Sequence, residues 1–177
     1  MLSFKEWLNE QYLDEEQRYS SKYTALNQVA QTFKKFDFSG YTVLDYGCGR
    51  GASKAFGQSK GYNVYLYDPY WGFDELNQFM NTEGAKVITC NNVLNVIEDL
   101  SDILKSISNI AKNSNAEKVI FKIYEGNGSG KGGVSKTVKG ETSYQRNQKT
   151  KEYVSEVKPY FNTYKLTSKG EYIILEK

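Results

Sequence analysis

Apolar positions recur at helical spacing between Lys22 and Phe36, where Ala25, Leu26, Val29, Ala30 and Phe33 share one face. With the residues before them, they predict a helical extension in two or three pieces over residues 1–38, stopped by Ser39-Gly40. The period then changes. Thr42-Val43-Leu44-Asp45-Tyr46 is a β-branched run that enters a cluster of glycines, as a buried strand does before a tight turn. Gly51 to Ser59 predicts a helix, Asn63 to Tyr67 a second strand, and Lys86 to Cys90 a third. Tyr70 to Gly84 is mixed and holds at most one short helix. Asp99 to Lys112 carries Ile103, Leu104, Ile107, Ile110 and Ala111 on one helical face, and Lys118 to Ile123 is a fourth strand. A Gly/Ser/Lys-rich loop runs from Gly126 to Asn147, followed by a helix over Thr150 to Phe161. Thr163 to Thr167 and Glu171 to Glu176 flank Ser168-Lys169-Gly170 as a hairpin. Strands alternating with helices predict an α/β three-layer sandwich over residues 39–177, with a mainly parallel sheet and a C-terminal antiparallel hairpin.

Composition narrows the chemistry. The 177 residues contain no histidine. Ser-His-Asp triads, Cys-His dyads and His-based zinc sites are therefore excluded. Two cysteines, Cys48 and Cys90, form no CxxC pair, so a disulfide framework and a Cys-based metal site are not expected. A net charge of +2 names no partner, and any basic character must be local. No apolar run is long enough to cross a bilayer, and the first residues lack the apolar stretch of a secretion signal. The expectation is a cytoplasmic protein with no membrane partner and no metal.

The most informative segment is Asp45-Tyr46-Gly47-Cys48-Gly49-Arg50-Gly51, between a strand and a helix. Glycines there allow positive φ and let backbone approach a ligand. In an open α/β sheet the crevice lies at the carboxyl ends of the strands. Gly47-x-Gly49-x-x-Ala52 fits a dinucleotide fingerprint. Asp45 at the strand tip opposes a pyrophosphate and favours a cationic ligand such as S-adenosylmethionine. Asp68, about twenty residues on, could accept from both ribose hydroxyls, or could simply close an Asx turn or cap a helix.

Val43 to Gly51 resembles the first motif of class I S-adenosylmethionine-dependent methyltransferases, a likeness that covers roughly Thr42 to Lys122. The resemblance implies a Rossmann-like fold with S-adenosyl-L-methionine as cofactor. It places Asp45, Gly47, Cys48, Gly49, Gly51, Asp68, Pro69 and Asn91 around that cofactor. Asn91 and Asn92, at the end of the third strand, would then face the transferable methyl. Lys22 and Tyr23 begin a helix that closes over the cofactor in related enzymes; ordinary helix packing would also explain them. The Asn-rich strand tip, Tyr67-Asp68-Pro69-Tyr70-Trp71 and Tyr124 to Gly130 are similar to small methyltransferases of phages and bacterial DNA-modification loci. Two departures stand. Fewer than twenty residues separate Asp68 from Lys86, so the helix-strand-helix unit usual at that point is shortened. Asn91-Asn92-Val93-Leu94 is not the Pro-Pro-aromatic tetrad of amino-methylating DNA enzymes.

Residues Gly126 to Lys151, after the fourth strand, carry Lys131, Lys136, Lys139, Arg146, Lys149 and Lys151 against one acid, Glu141. The stretch reads as a lid in which Lys131 and Arg146 hold a nucleic acid or other anionic substrate while Tyr124 and Tyr144 contact it. A solvated flexible loop fits the same composition. Asn91 or Asn92 would aim a substrate amine, and Glu125, its pKa raised by burial, would be the general base. A surface acid or loop cap is the other reading of Glu125. The reaction so implied is in-line methyl transfer to nitrogen or oxygen. An NAD(P)-binding oxidoreductase and a catalytically idle nucleic-acid-binding module are the alternatives.

Overall fold

The computed structural model describes residues 29–136 and 142–177. The helix expected from Lys22 appears among them only as α1 (Gln31–Lys35). Ala30 is its N-cap, with non-helical φ −56° and ψ 135°, and its N–H donates to the Ser53 side chain. Residues 22–28, Lys22 and Tyr23 included, lie outside the described residues.

Four strands run parallel: β1 (Thr42–Tyr46), β2 (Asn63–Asp68), β4 (Lys86–Asn91) and β5 (Lys118–Lys122). Their helices are α2 (Ala52–Ser59) after β1 and α4 (Ser101–Asn113) after β4. Between β2 and β4 stand only a two-residue antiparallel strand β3 (Phe73–Asp74) and a five-residue helix α3 (Leu76–Met80), which is the expected shortening. The C-terminal hairpin, β8 (Lys165–Lys169) and β9 (Tyr172–Glu176), joins the sheet antiparallel along β5. The full order is β3-β2-β1-β4-β5-β9-β8.

Every residue of β1 is buried, because a central parallel strand is covered on both faces. Leu44, Tyr46, Ile88 and Phe121 face α4 and the following helix α5 (Thr150–Val157), which contributes Tyr153 and Val157. Val43, Val64, Val87 and Ile120 face the opposite way, onto Phe33 of α1, Phe38 and Phe56 of α2. The result is three layers. Phe33 and Phe38 are buried in this second core, so the described part of the N-terminal segment packs as an integral layer. Among the described residues no helix is long and apolar enough to cross a membrane.

Within the stretch read as a loop, the described residues include two short strands. Gly133–Lys136 (β6) and Thr142–Gln145 (β7) pair as an antiparallel hairpin, with Val134 opposite Tyr144. The two short strands alternate, but glycines and lysines around them mask the period.

Register decides where the site forms. Tyr46 lies level with Tyr67 on β2 and with Cys90 on β4. One step further, Gly47, Asp68 and Asn91 share the carboxyl edge. The chain leaves β1 for β2 on one side and β4 on the other, so this edge is the topological switch point.

Candidate active site

The glycine turn is held by its own backbone. The N–H groups of Gly47 and Cys48 both donate to the Tyr67 carbonyl, at 2.7 and 3.3 Å, and the Gly51 N–H donates to the Cys48 carbonyl at 3.1 Å. The Gly49 N–H donates to Asp68 Oδ2 at 2.8 Å. Gly47 and Gly51 have φ of +73° and +78°, a region costly for residues with a Cβ. A Cβ on Gly47 would also stand 2.5 Å from Val93 Cγ2, so the turn presses against the segment after β4.

Asp68 gathers three amides. Its Oδ1 accepts from Tyr70 and Trp71 at 3.0 and 3.2 Å, closing an Asx-type turn, and Oδ2 takes Gly49. The Asx-turn reading of Asp68 is thus met, and the same carboxylate also ties the glycine turn to the end of β2. Burial raises the carboxyl above its ordinary range, and the three amides pull it back. Pro69 and Tyr70 are half-buried on the same turn. Arg50 lays its guanidinium 4.7 Å from the centroid of Trp71, and Trp71 meets Tyr70 edge-on.

Asp45 was expected against the ligand, but it lies beneath the loop, 1% exposed. Its Oδ1 accepts from Thr89 Oγ1 at 2.9 Å and from Asn91 Nδ2 at 3.3 Å, and the Ser53 hydroxyl also donates to the carboxylate. Burial lifts its pKa to about 6, which those donors oppose. Cys48 is buried in the same place. Desolvation and the charges of Asp45, Asp68 and Glu75 push its thiol far above the usual range, so this edge carries a negative field.

The two asparagines separate in role. Asn91 spends its amide inside the protein, giving Nδ2 to Asp45 and receiving the Thr32 N–H on Oδ1 at 3.4 Å. Its expected place as an aiming group for substrate is thus taken by internal bonds. Asn92 sits at φ +55°, pinned by its N–H to the Lys122 carbonyl at 2.8 Å. Its Oδ1 is shut from solvent with no partner. Asparagine adopts this left-handed conformation more readily than most residues, and the buried acceptor is the feature that sets Asn92 apart from Asn91.

Glu125 is not a base of raised pKa. Oε1 accepts the Thr150 N–H at 2.8 Å and Oε2 pairs with Lys149 Nζ at 2.9 Å, and these bonds hold the carboxyl down at about 2. It secures the start of α5, the cap reading of this residue. Arg146 is also reassigned. It is 8% exposed, bonds Glu156 at 2.6 Å and Gln148 at 2.8 Å, and covers the ring of Tyr153. A phosphate would have to displace Glu156 to reach it. Tyr144, on β7 of the hairpin, is partly buried, whereas Lys131 and Tyr124 are exposed. The hairpin is anchored by Asn95, whose Nδ2 donates to Gln145 and whose carbonyl receives the Arg146 N–H.

Sequence reasoning missed Ser53, Thr89 and Asn95. No local motif marks them, since each acquires its partner across 44 to 50 residues or, for Ser53, through α1.

A family model described as a methyltransferase domain matches residues 10–124, more than half of the chain. No curated protein matches in sequence. Among solved structures, the CcbJ methyltransferase from Streptomyces caelestis is similar at a TM-score of 0.50 and 8% identity, over 95% of this chain and 93% of that one. An S-adenosylmethionine-dependent methyltransferase from Mesorhizobium loti is similar at 0.43 and 7% identity, over 85% of this chain and 98% of that one. At 8% identity the likeness to the Streptomyces caelestis enzyme speaks for the fold alone.

Proposed function

The chain belongs to the methyltransferase-domain family, and on that premise we propose that it transfers the methyl group of S-adenosyl-L-methionine to a nitrogen or oxygen nucleophile. The observation that carries the choice of cofactor is the state of the glycine turn. A phosphate nest needs free N–H groups. Here the amides of Gly47, Cys48, Gly49 and Gly51 are bonded within the protein, and the carboxylates of Asp45 and Asp68 stand behind them. That arrangement repels a pyrophosphate and suits a sulfonium nucleoside. It disfavours the NAD(P) alternative.

The residues present fit such a cofactor. Asp68 Oδ2 has taken one amide and keeps a lone pair for a ribose hydroxyl. Gly47 and Gly49 bring backbone to the crevice without a side chain. When bound, the cofactor supplies an electrophilic methyl on a positively charged sulfur. The protein's part is to orient and to exclude water, effects worth about 7–11 kcal/mol in the best intramolecular models. Asn92 Oδ1, buried and without a partner at the β4 tip, would accept a substrate N–H and turn its lone pair toward the methyl once the side chain turns toward the crevice.

The acceptor class is read from the arm after β5. Lys131 and Tyr124 are exposed there, and Lys136 and Lys139 add charge, which supports an anionic acceptor such as a nucleic acid. Pairing of Arg146 with Glu156 and Lys149 with Glu125 reduces that field. A place among small phage and DNA-modification methyltransferases, expected from the sequence resemblance, is part of the same proposal. Transfer of tritiated methyl onto separated DNA, RNA, protein and small-molecule fractions tests the reading. Label on DNA or RNA supports it, and label on small molecules alone removes the nucleic acid.

A further inference from the structure

The polar contacts beneath the glycine turn form a relay with two arms. Ser53 and Asn91 each give a hydrogen to the Asp45 carboxylate and each receive one from the backbone of the segment entering α1. Ser53 Oγ accepts the Ala30 N–H at 3.2 Å, and Asn91 Oδ1 accepts the Thr32 N–H at 3.4 Å. This answers a need of α1. The first amides of a helix have no partner within it, and the residue at its N-cap is alanine, which has no side chain to supply one. The missing cap comes from β4 and α2, strands and helices of the domain body, oriented by one buried carboxylate. The carboxylate in turn is fixed by Thr89 on β4.

We infer that Asp45 is a positioning residue that docks the segment Ala30–Thr32 onto the carboxyl edge of the sheet through Ser53 and Asn91. Asp45 is buried beneath the glycine turn, with its hydrogen-bond partners inside the protein. Its effect passes to the crevice because Asn91 adjoins Asn92 and Ser53 lies in the first turn of the helix behind the glycines. Docking of α1 and occupancy of the crevice are then coupled through adjacent residues, and each must tighten the other by the same factor.

Residue-resolved hydrogen–deuterium exchange on the full chain tests the relay. In the unsubstituted protein the Ala30 and Thr32 amides are protected. Asn91→Ala speeds exchange at Thr32 by about 5- to 10-fold, the effect of one hydrogen bond, and leaves Ala30 alone. Ser53→Ala does the reverse. Asp45→Asn releases both. Should Asp45→Asn fail to fold, the two single-arm variants still decide. Equal acceleration of both amides in either one, or of neither, overturns the relay. The coupling to the crevice rests on the cofactor reading above, and its probe is S-adenosylhomocysteine. Slowed exchange at Ala30 and Thr32 on binding supports the coupling, and unchanged exchange with the compound bound overturns it. Absence of binding, with the ligand-free pattern intact, contradicts the cofactor reading and leaves the relay standing.

Discussion

The amide of Gly49 donates to Asp68 Oδ2 at 2.8 Å, joining the turn after β1 to the end of β2. One carboxylate thus shapes the glycine turn and closes its own Asx turn through Tyr70 and Trp71. Asp68→Ala frees three amides at once. The expected outcome is loss of S-adenosylhomocysteine affinity by about 10-fold or more, with a lowered melting temperature, since each buried amide left unpaired costs about 1–3 kcal/mol. Calorimetry and thermal unfolding check both. Unchanged affinity would remove Asp68 from the site.

Asp45 titrates near pH 6 because burial opposes its charge. The groups facing it are Asp68 on β2, Cys48 on the turn, Cys90 on β4, and the donors Thr89, Ser53 and Asn91. Its folded pKa is raised above the unfolded value. The stability it contributes is therefore present below about pH 4 and lost as pH rises through about 6. Carbon-detected NMR of the Asp45 carboxyl should show the transition near 6. Thr89→Val removes a donor to the charged form and should move it higher.

Glu125 has the opposite sign. Its folded pKa lies near 2, so its contribution is present above the unfolded value near 4.5 and lost as pH falls toward 2. Glu125→Gln should lower stability at neutral pH by about 1 kcal/mol, as loss of a helix cap and a partly exposed ion pair does. The difference should vanish near pH 2. The pH profile of kcat/KM should keep its midpoint, because Glu125 is not the base.

Gly47→Ala places a methyl 2.5 Å from Val93 Cγ2 at a φ of +73°. The expected cost is about 1–3 kcal/mol from overpacking, beyond the backbone strain. Adding Val93→Ala should recover the packing part and leave the strain. Denaturant unfolding of the two variants separates these terms.

The sheet was legible in the sequence because its strands are β-branched runs ended by glycine, proline or asparagine. The switch-point edge followed from Gly47 to Gly51 and from Asp68. What was not legible depends on distant partners. Glu125 looked like a base until Lys149 and Thr150 met it across the hairpin. Arg146 looked like a phosphate contact, but Glu156 lies ten residues along the chain on α5 and neutralises it. Asp45 carried the right charge for a cationic ligand, yet it lies two residues before the edge and its carboxylate is buried against Thr89 and Asn91. The β6–β7 hairpin was hidden because four-residue strands among glycines show almost no period.

Calorimetric titration of the folded, unsubstituted chain with S-adenosylhomocysteine and, separately, with NADH bears most directly on the cofactor. Saturable one-to-one binding of the first and none of the second is the expected result. Heat from NADH, or a folded sample that ignores S-adenosylhomocysteine, would contradict the account.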